Sequence, residues 1–549
     1  MAATEPSVRP TIKSRDVDVV VVGAGFGGLY MVQRLCELGL KIQGFEAGGD
    51  VGGTWYWNRY PGARCDIPSL FYSYTWSPEL QKDWRWSEKY AAQPELLRYA
   101  QTVADRFDLK SAFAFETKVI STIWNVELDR WTVKTDRGDE VQARFCVMAT
   151  GCLSVPRAPK IAGEGDFEGE TYHTGTWPHA PVSFAGKRVA VIGTGSSAIQ
   201  SIPQIAAEAD HTFVFQRTPN FSVPARNAPL SQADLDLFWD QYPAYRQMVL
   251  EGTAGIAGGS EFKSLTADQQ RARFEELWNI GGAGYLGALA DLLTNPVAID
   301  AAADFVRSQI KAVVKDPKTA EALLPDDHPI GAKRICVDID YYETFNRQNV
   351  TLVNLRHTPI DEITKTGVRT SGADGIAYDV DVIVFATGFV AMTGALLNID
   401  IRGDEGHALR DVWAEGPKSY LGLQVAGFPN LFTITGPGSP SVLSNMISSC
   451  EQHVDWIADC LDWMGKHGAQ RIEADPKAQE KWAEHVNEAA SRTLFPTANS
   501  WYMGANIPGK PRVFMPYVGG HYRKICNEVA AEGYRGFIVA GQEASAAAE

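Results

Sequence analysis

Glu46 and Arg217 stand at nearly the same offset behind two glycine-rich loops, 18 residues beyond Gly28 and 19 beyond Ala198. The loops are Gly23-Ala-Gly25-Phe26-Gly27-Gly28 and Gly193-Thr194-Gly195-Ser196-Ser197-Ala198. An acid at that offset hydrogen-bonds ribose hydroxyls and repels a 2′-phosphate, whereas an arginine binds that phosphate bidentately. The pair therefore predicts FAD or NAD at the first loop, NADP(H) at the second, and redox chemistry between them. Two further sets of charges have types suited to a reaction centre. Asp66 ends the aromatic loop Gly52-Gly53-Thr54-Trp55-Tyr56-Trp57-Asn-Arg-Tyr60-Pro-Gly62-Ala-Arg64-Cys-Asp66, which reads as a wall over a planar cofactor with a buried charge partner. Lys333-Arg334 is either ordinary surface charge or a pair of cations reaching the NADP phosphate and the reaction centre; spacing leaves both open.

Both loops need a strand before them and a helix after. The run Asp18-Val-Val-Val-Val22 enters the first, and a helical pattern through Leu29, Val32 and Leu35 leaves it. Val189-Ala-Val-Ile192 enters the second. In each loop the first glycine makes the tight turn, the second lets backbone approach a pyrophosphate, and the third allows close helix–strand packing, with the helix N-terminus facing the phosphates. Strand patterns at Lys41–Phe45, Phe145–Ala149, Thr212–Phe215, Val350–Val353 and Val380–Phe385 complete two nucleotide-binding sheets. The expected fold is α/β: two Rossmann-like dinucleotide-binding domains, for FAD and NADP, with a helical insertion. The expected division is 1–150 for the first part of the FAD domain and 151–223 for the first part of the NADP domain, including a linker motif at 167–178. The insertion follows at 224–330, the second NADP part at 331–387 and the second FAD part at 388–549. Gly281–Gly284 reads as a mobile stretch, and Ser500–Gly509 as a loop pinned by Trp501 or a lid over a cofactor.

The 549 residues suffice for roughly three to four domain-sized units. The net charge of −15 disfavours nucleic acid and anionic membranes as partners, and no apolar run is long enough to span a bilayer. Met1–Arg15 is polar and reads as a loose tail, not a signal peptide. The eight cysteines show neither metal-ligand spacing nor the redox CxxxxC of a disulfide reductase, so no metal and a reducing cytoplasm are expected.

Phe167-x-Gly169-x-x-x-His173-x-x-x-Trp177-Pro178, together with Gly53-x-Trp55 and Tyr60-Pro-Gly62-x-x-x-Asp66, resembles the signatures of type I Baeyer–Villiger monooxygenases. The likeness runs from Val17 to about Phe537. The Lys333-Arg334 region, the Gly436–Met446 loop and the Trp501 segment are most similar to phenylacetone-type members, with their two-residue bulge at Ser441 and Val442. The resemblance implies NADPH- and O₂-dependent oxidation of ketones to esters or lactones, through a C4a-peroxyflavin and a Criegee intermediate. It implies catalytic roles for Arg334 and Asp66, a 2′-phosphate site at Arg217, Thr218 and Lys333, and a nicotinamide contact at Trp501. It extends the cofactor-binding set to Phe26, Gly27, Thr54, Trp55, Tyr56, Trp57, Arg64, Tyr72, Val119, Thr194, Ser196, Ser197, Gln200 and Met446. His173 and Trp177 are implied as residues coupling domain motions; a catalytic histidine is the weaker reading. The implied partners are a small-molecule ketone and O₂, with the chain a monomer. The alternatives are an N- or S-oxygenating flavin monooxygenase and a non-catalytic NADP(H)/FAD sensor, which would not need Asp66, Arg334 and Trp501 together.

Overall fold

The computed structural model describes residues 15–251, 259–372, 375–440, 444–504 and 519–541. The tail before Arg15, the bulge at Ser441 and Val442, and residues Ala505–Gly509 of the Trp501 segment lie outside them.

The valine run forms β1 (Arg15–Val22), at the centre of a sheet with β2 (Ile42–Phe45), β3 (Phe113–Ala114), β4 (Val119–Asn125), β5 (Arg130–Thr135) and β6 (Glu140–Met148). β1 pairs in parallel with β2 and β6, so its faces are both covered and its side chains read as a continuous apolar run. Helix α1 (Phe26–Glu37) packs on it, with Leu29, Met31, Val32 and Leu35 fully buried.

A second, all-parallel sheet is built from β7 (Glu170–His173), β8 (Arg188–Ile192), β9 (His211–Gln216), β10 (Val350–Asn354) and β11 (Val382–Phe385), in the order β10-β9-β8-β11-β7. Helix α2 (Ser196–Glu208) follows β8. The linker motif thus begins as an edge strand of this sheet, a feature its sequence did not announce. After β11 the chain returns to the first sheet with β12 (Asp400–Arg402) beside β4 and β13 (Leu431–Thr433) beside β6. Helix α3 (Met446–Lys466) then packs on α1.

Between β9 and β10 lie helices Gln232–Asp240, Tyr242–Glu251, Ala267–Ile280, Pro296–Val313 and Pro317–Ala322. They reach the first unit: Phe71 packs edge-on against Phe238 and Tyr245, at 6.1 and 5.6 Å between centroids. Gly281–Gly284 is docked rather than loose. A Cβ on Gly282 would sit 1.9 Å from the Tyr90 hydroxyl, so only glycine permits that approach.

Candidate active site between two dinucleotide loops

Both glycine loops open into one cavity of about 1390 Å³, which also takes in Asp66, Lys333, Arg334 and Trp501. Of the cofactor-binding set, Gly23, Gly25, Phe26, Gly27, Glu46, Gly53, Thr54, Trp55, Trp57, Arg64, Tyr72, Val119 and Met446 line its first half. Thr194, Gly195, Ser196, Ser197, Gln200, Arg217 and Thr218 line the second. Two members do not reach it. Gly28 lies beneath the loop, where a Cβ would come 1.8 Å from the Gly23 carbonyl oxygen. Tyr56 points the other way: its hydroxyl accepts the Gly49 N–H at 2.8 Å and its ring packs at a tilt against His179, 4.7 Å between centroids.

The residues fit two dinucleotides. Helices α1 and α2 start at Gly25 and Gly195 with no side-chain cap and no acid in the first turn, so their N-terminal amides and dipole remain for pyrophosphates. A Cβ on Gly195 would meet nothing within 4 Å, which is space a phosphate can take. Glu46 is 6% exposed; its carboxylate accepts the Ala24 and Gly48 N–H groups, both at 2.7 Å. A carboxylate offers about four lone-pair sites, so acceptor capacity remains for a ribose hydroxyl. Burial pushes this carboxyl upward against those bonds.

At the other end Arg217 is exposed, and Lys333 has a distant partner in Asp327 at 3.8 Å. Burial lowers the Lys333 pKa, and the Arg217 and Arg356 cations lower it further. Arg157 lines the same cavity and is also depressed, by burial and then by Arg217. Cations gathered against their mutual repulsion suit a phosphate dianion. Arg157 escaped the sequence reading because it sits in an irregular crossing with no motif around it.

Asp66 and Arg334 meet on the wall where the two halves join. Nε and Nη2 donate to the two carboxylate oxygens, each at 2.7 Å. Their side chains are 20% and 26% exposed. Burial alone would raise the Asp66 pKa, but the Arg334 charge and hydrogen bonds hold it below the usual range. Burial likewise works against the Arg334 cation, and Asp66 more than offsets it, leaving its pKa well above the ordinary value. The loop carrying Asp66 is clasped to α2. The Tyr60 hydroxyl donates to Gln200 Oε1 at 2.8 Å, and Gln200 Nε2 donates to the Arg64 carbonyl at 3.1 Å. A Cβ on Gly62 would lie 2.2 Å from the Gln200 carbonyl oxygen.

His173 does not line the cavity. Its Nδ1 accepts the Gly175 N–H at 3.0 Å, which places the proton on Nε2, 3.1 Å from Thr387 Oγ1. Thr387 in turn donates to the Arg157 carbonyl at 2.8 Å. Burial lowers the His173 pKa. The imidazole therefore ties β7 to the crossing strands, while Trp177 is buried against Tyr172 and Phe184.

Two dinucleotide loops on one cavity define a nicotinamide- and flavin-dependent oxidoreductase, and the family model of pyridine nucleotide-disulphide oxidoreductases matches residues 20–231. All eight cysteines are free. The chain is 42% identical to a Baeyer–Villiger monooxygenase of Pseudooceanicola batsensis, over 95% of this chain and 96% of that one. A solved steroid monooxygenase bound to NADP is 50% identical, with a TM-score of 0.90 over 96% of this chain and all of that one. The solved complex of OTEMO with FAD and NADP is 41% identical, with a TM-score of 0.92 over the same shares. A phenazine N-monooxygenase of Lysobacter antibioticus is 40% identical over 95% of this chain and 97% of its own. The chain belongs to the Baeyer–Villiger flavoprotein monooxygenases. Its cofactors are FAD and NADP(H).

Proposed function

We propose that the chain places one atom of O₂ beside a ketone carbonyl, turning cyclic, aryl or bulky ketones into lactones or esters with NADPH as reductant. The observation that carries this reading is the bidentate Asp66–Arg334 pair at the junction of the two cofactor sites. FAD, when bound and reduced, supplies the activation of O₂. Arg334 is the fixed cation that steadies negative charge developing on oxygen, and Asp66 keeps it aimed and charged. Lys333, Arg217 and Thr218 hold the 2′-phosphate, and Trp501 covers the nicotinamide half. The first half of the cavity, with Glu46 on the ribose, holds FAD.

The membership of the two sheets and the helices between β9 and β10 support a division into an FAD domain, an NADP domain and an insertion. One chain supplies both loops and the Asp66–Arg334 pair, which supports a working monomer. Free cysteines support a reducing cytoplasm. Among the described residues, no helix is long and apolar enough to cross a membrane.

A second reading, oxygenation at nitrogen or sulfur, is favoured by the likeness to the phenazine N-monooxygenase. Turnover under ¹⁸O₂ with NADPH and a mixed panel of ketones, amines and sulfides separates the two. One labelled oxygen in an ester or lactone is the expected result. Label on amines or sulfides alone supports the second reading, and NADPH consumption with no labelled product overturns both.

A further inference from the structure

Tyr502 is hydrogen-bonded through its hydroxyl to the Arg334 guanidinium. Asp66 already takes Nε and Nη2. A guanidinium carries five N–H donors in a rigid planar fork, so it can hold Asp66 bidentately and a phenol oxygen at the same time.

The ring is held from behind. It is 3% exposed and packs against Trp501 at 4.7 Å and Phe495 at 6.0 Å between centroids. Met503 and Met392 complete this small cluster, and Ser500 Oγ accepts the Tyr502 N–H at 3.2 Å. Met392 lies just beyond the second crossing between the two units, where its N–H donates to the Cys152 carbonyl at 2.8 Å. The ring is therefore seated on the crossing, while its hydroxyl rests on the arginine. Trp501 lines the cavity and Tyr502 does not.

We propose that Tyr502 is a positioning residue for Arg334: its hydroxyl transmits the seating of Phe495–Met503 against the interdomain crossing to the direction of the guanidinium. The inference rests on the role given to Arg334 above. Burial pushes the phenol pKa up to about 12 against the pull of Arg334, so the hydroxyl is neutral throughout the working range and this hydrogen bond is not gated by pH.

The test is Tyr502→Phe, which keeps the ring and its packing and removes the hydroxyl. Three quantities are compared with wild type: anaerobic flavin reduction by NADPH, KM for NADPH, and ester formed per NADPH consumed in air. The expected result is unchanged reduction and KM with ester per NADPH lowered about tenfold, the scale of one hydrogen bond to a charged group. Unchanged ester yield overturns the inference. So does an equal fall in reduction and ester yield, which would mean general loss of packing. Arg334→Ala is run alongside: if it still makes ester at the wild-type yield, the role of Arg334 itself fails, independently of Tyr502.

Discussion

The two dinucleotide loops share a turn and a helix but differ in how the protein closes around them. Over the first, Gly25 is backed by the 52–57 loop, since a Cβ on it would lie 3.5 Å from Gly53 Cα, and Glu46 is buried on two backbone amides. Over the second, a Cβ on Gly195 would meet nothing, and Arg217 is exposed. One loop is lidded by its own chain and has a buried, hydrogen-bonded acid at the next strand end; the other is open and has an exposed cation there. That contrast matches a cofactor kept through many cycles facing one that exchanges in each.

The largest expected effect lies at the third glycine. In the first loop it is Gly28, packed so close to Gly23 that a methyl cannot enter; in the second it is already Ala198. A Cβ 1.8 Å from a backbone oxygen forces the helix away from the strand, beyond what a rotamer change can absorb. Gly28→Ala should give protein that is insoluble or purifies without flavin. Ala198→Gly should lower stability by only about 1 kcal/mol, the helical glycine cost. Flavin content and Tm of the two variants check this; full flavin content in Gly28→Ala would break the comparison.

Arg217→Ala tests the other side. Losing a charge-assisted contact to a phosphate should raise KM for NADPH by about 10–100-fold. Steady-state rates with NADPH and NADH measure it: KM for NADH should barely move, since NADH lacks the 2′-phosphate. An equal rise for both would show that Arg217 serves the pyrophosphate or the fold, and not the discrimination.

Much of this arrangement was legible because it is local. Strand, glycine turn, helix and the residue at the next strand end all fall within about thirty residues, so Glu46 and Arg217 could be compared from spacing alone. Asp66 and Arg334 are 268 residues apart, and no periodicity brings them together; resemblance to a family supplied the pairing. Strand β7 was missed because Glu170-Thr-Tyr-His173 is short and half exposed, without apolar alternation. Gly281–Gly284 read as mobile because glycine signals freedom in sequence, whereas here it permits contact with Tyr90. Tyr56 sits among cavity residues in sequence, but a helical turn over Thr54–Trp57 sends neighbouring side chains in different directions. Tyr502 shares no motif with the arginine it touches.

The smallest expected effect compares the two units through buried acids. Glu451, on α3, accepts the Thr75 N–H and hydroxyl and the Trp76 N–H. Asp338 accepts the Ser222 hydroxyl and the Tyr341 N–H. Burial pushes each up to about 7 despite those bonds. A carboxyl whose folded pKa lies above its unfolded value holds its proton more tightly when folded. Its contribution is whole below the ordinary carboxylate range, near pH 4, and is lost as pH rises through about 7. His453 acts in the opposite sense. Its Nδ1 accepts the Thr435 N–H, and burial lowers its pKa to about 3, so its contribution grows as pH rises through the ordinary histidine value. The wild-type profile sums these, and only differences between variants isolate them. Glu451→Gln and Asp338→Asn should each gain Tm relative to wild type between pH 5 and pH 8, by about 2 °C or less per kcal/mol in a chain of this size. Melting curves across that range check the sign. A Tm difference that stays constant with pH would mean that the acid does not titrate there. A slope carried by Asp338→Asn alone would assign the titration to Asp338 and remove Glu451 from the account.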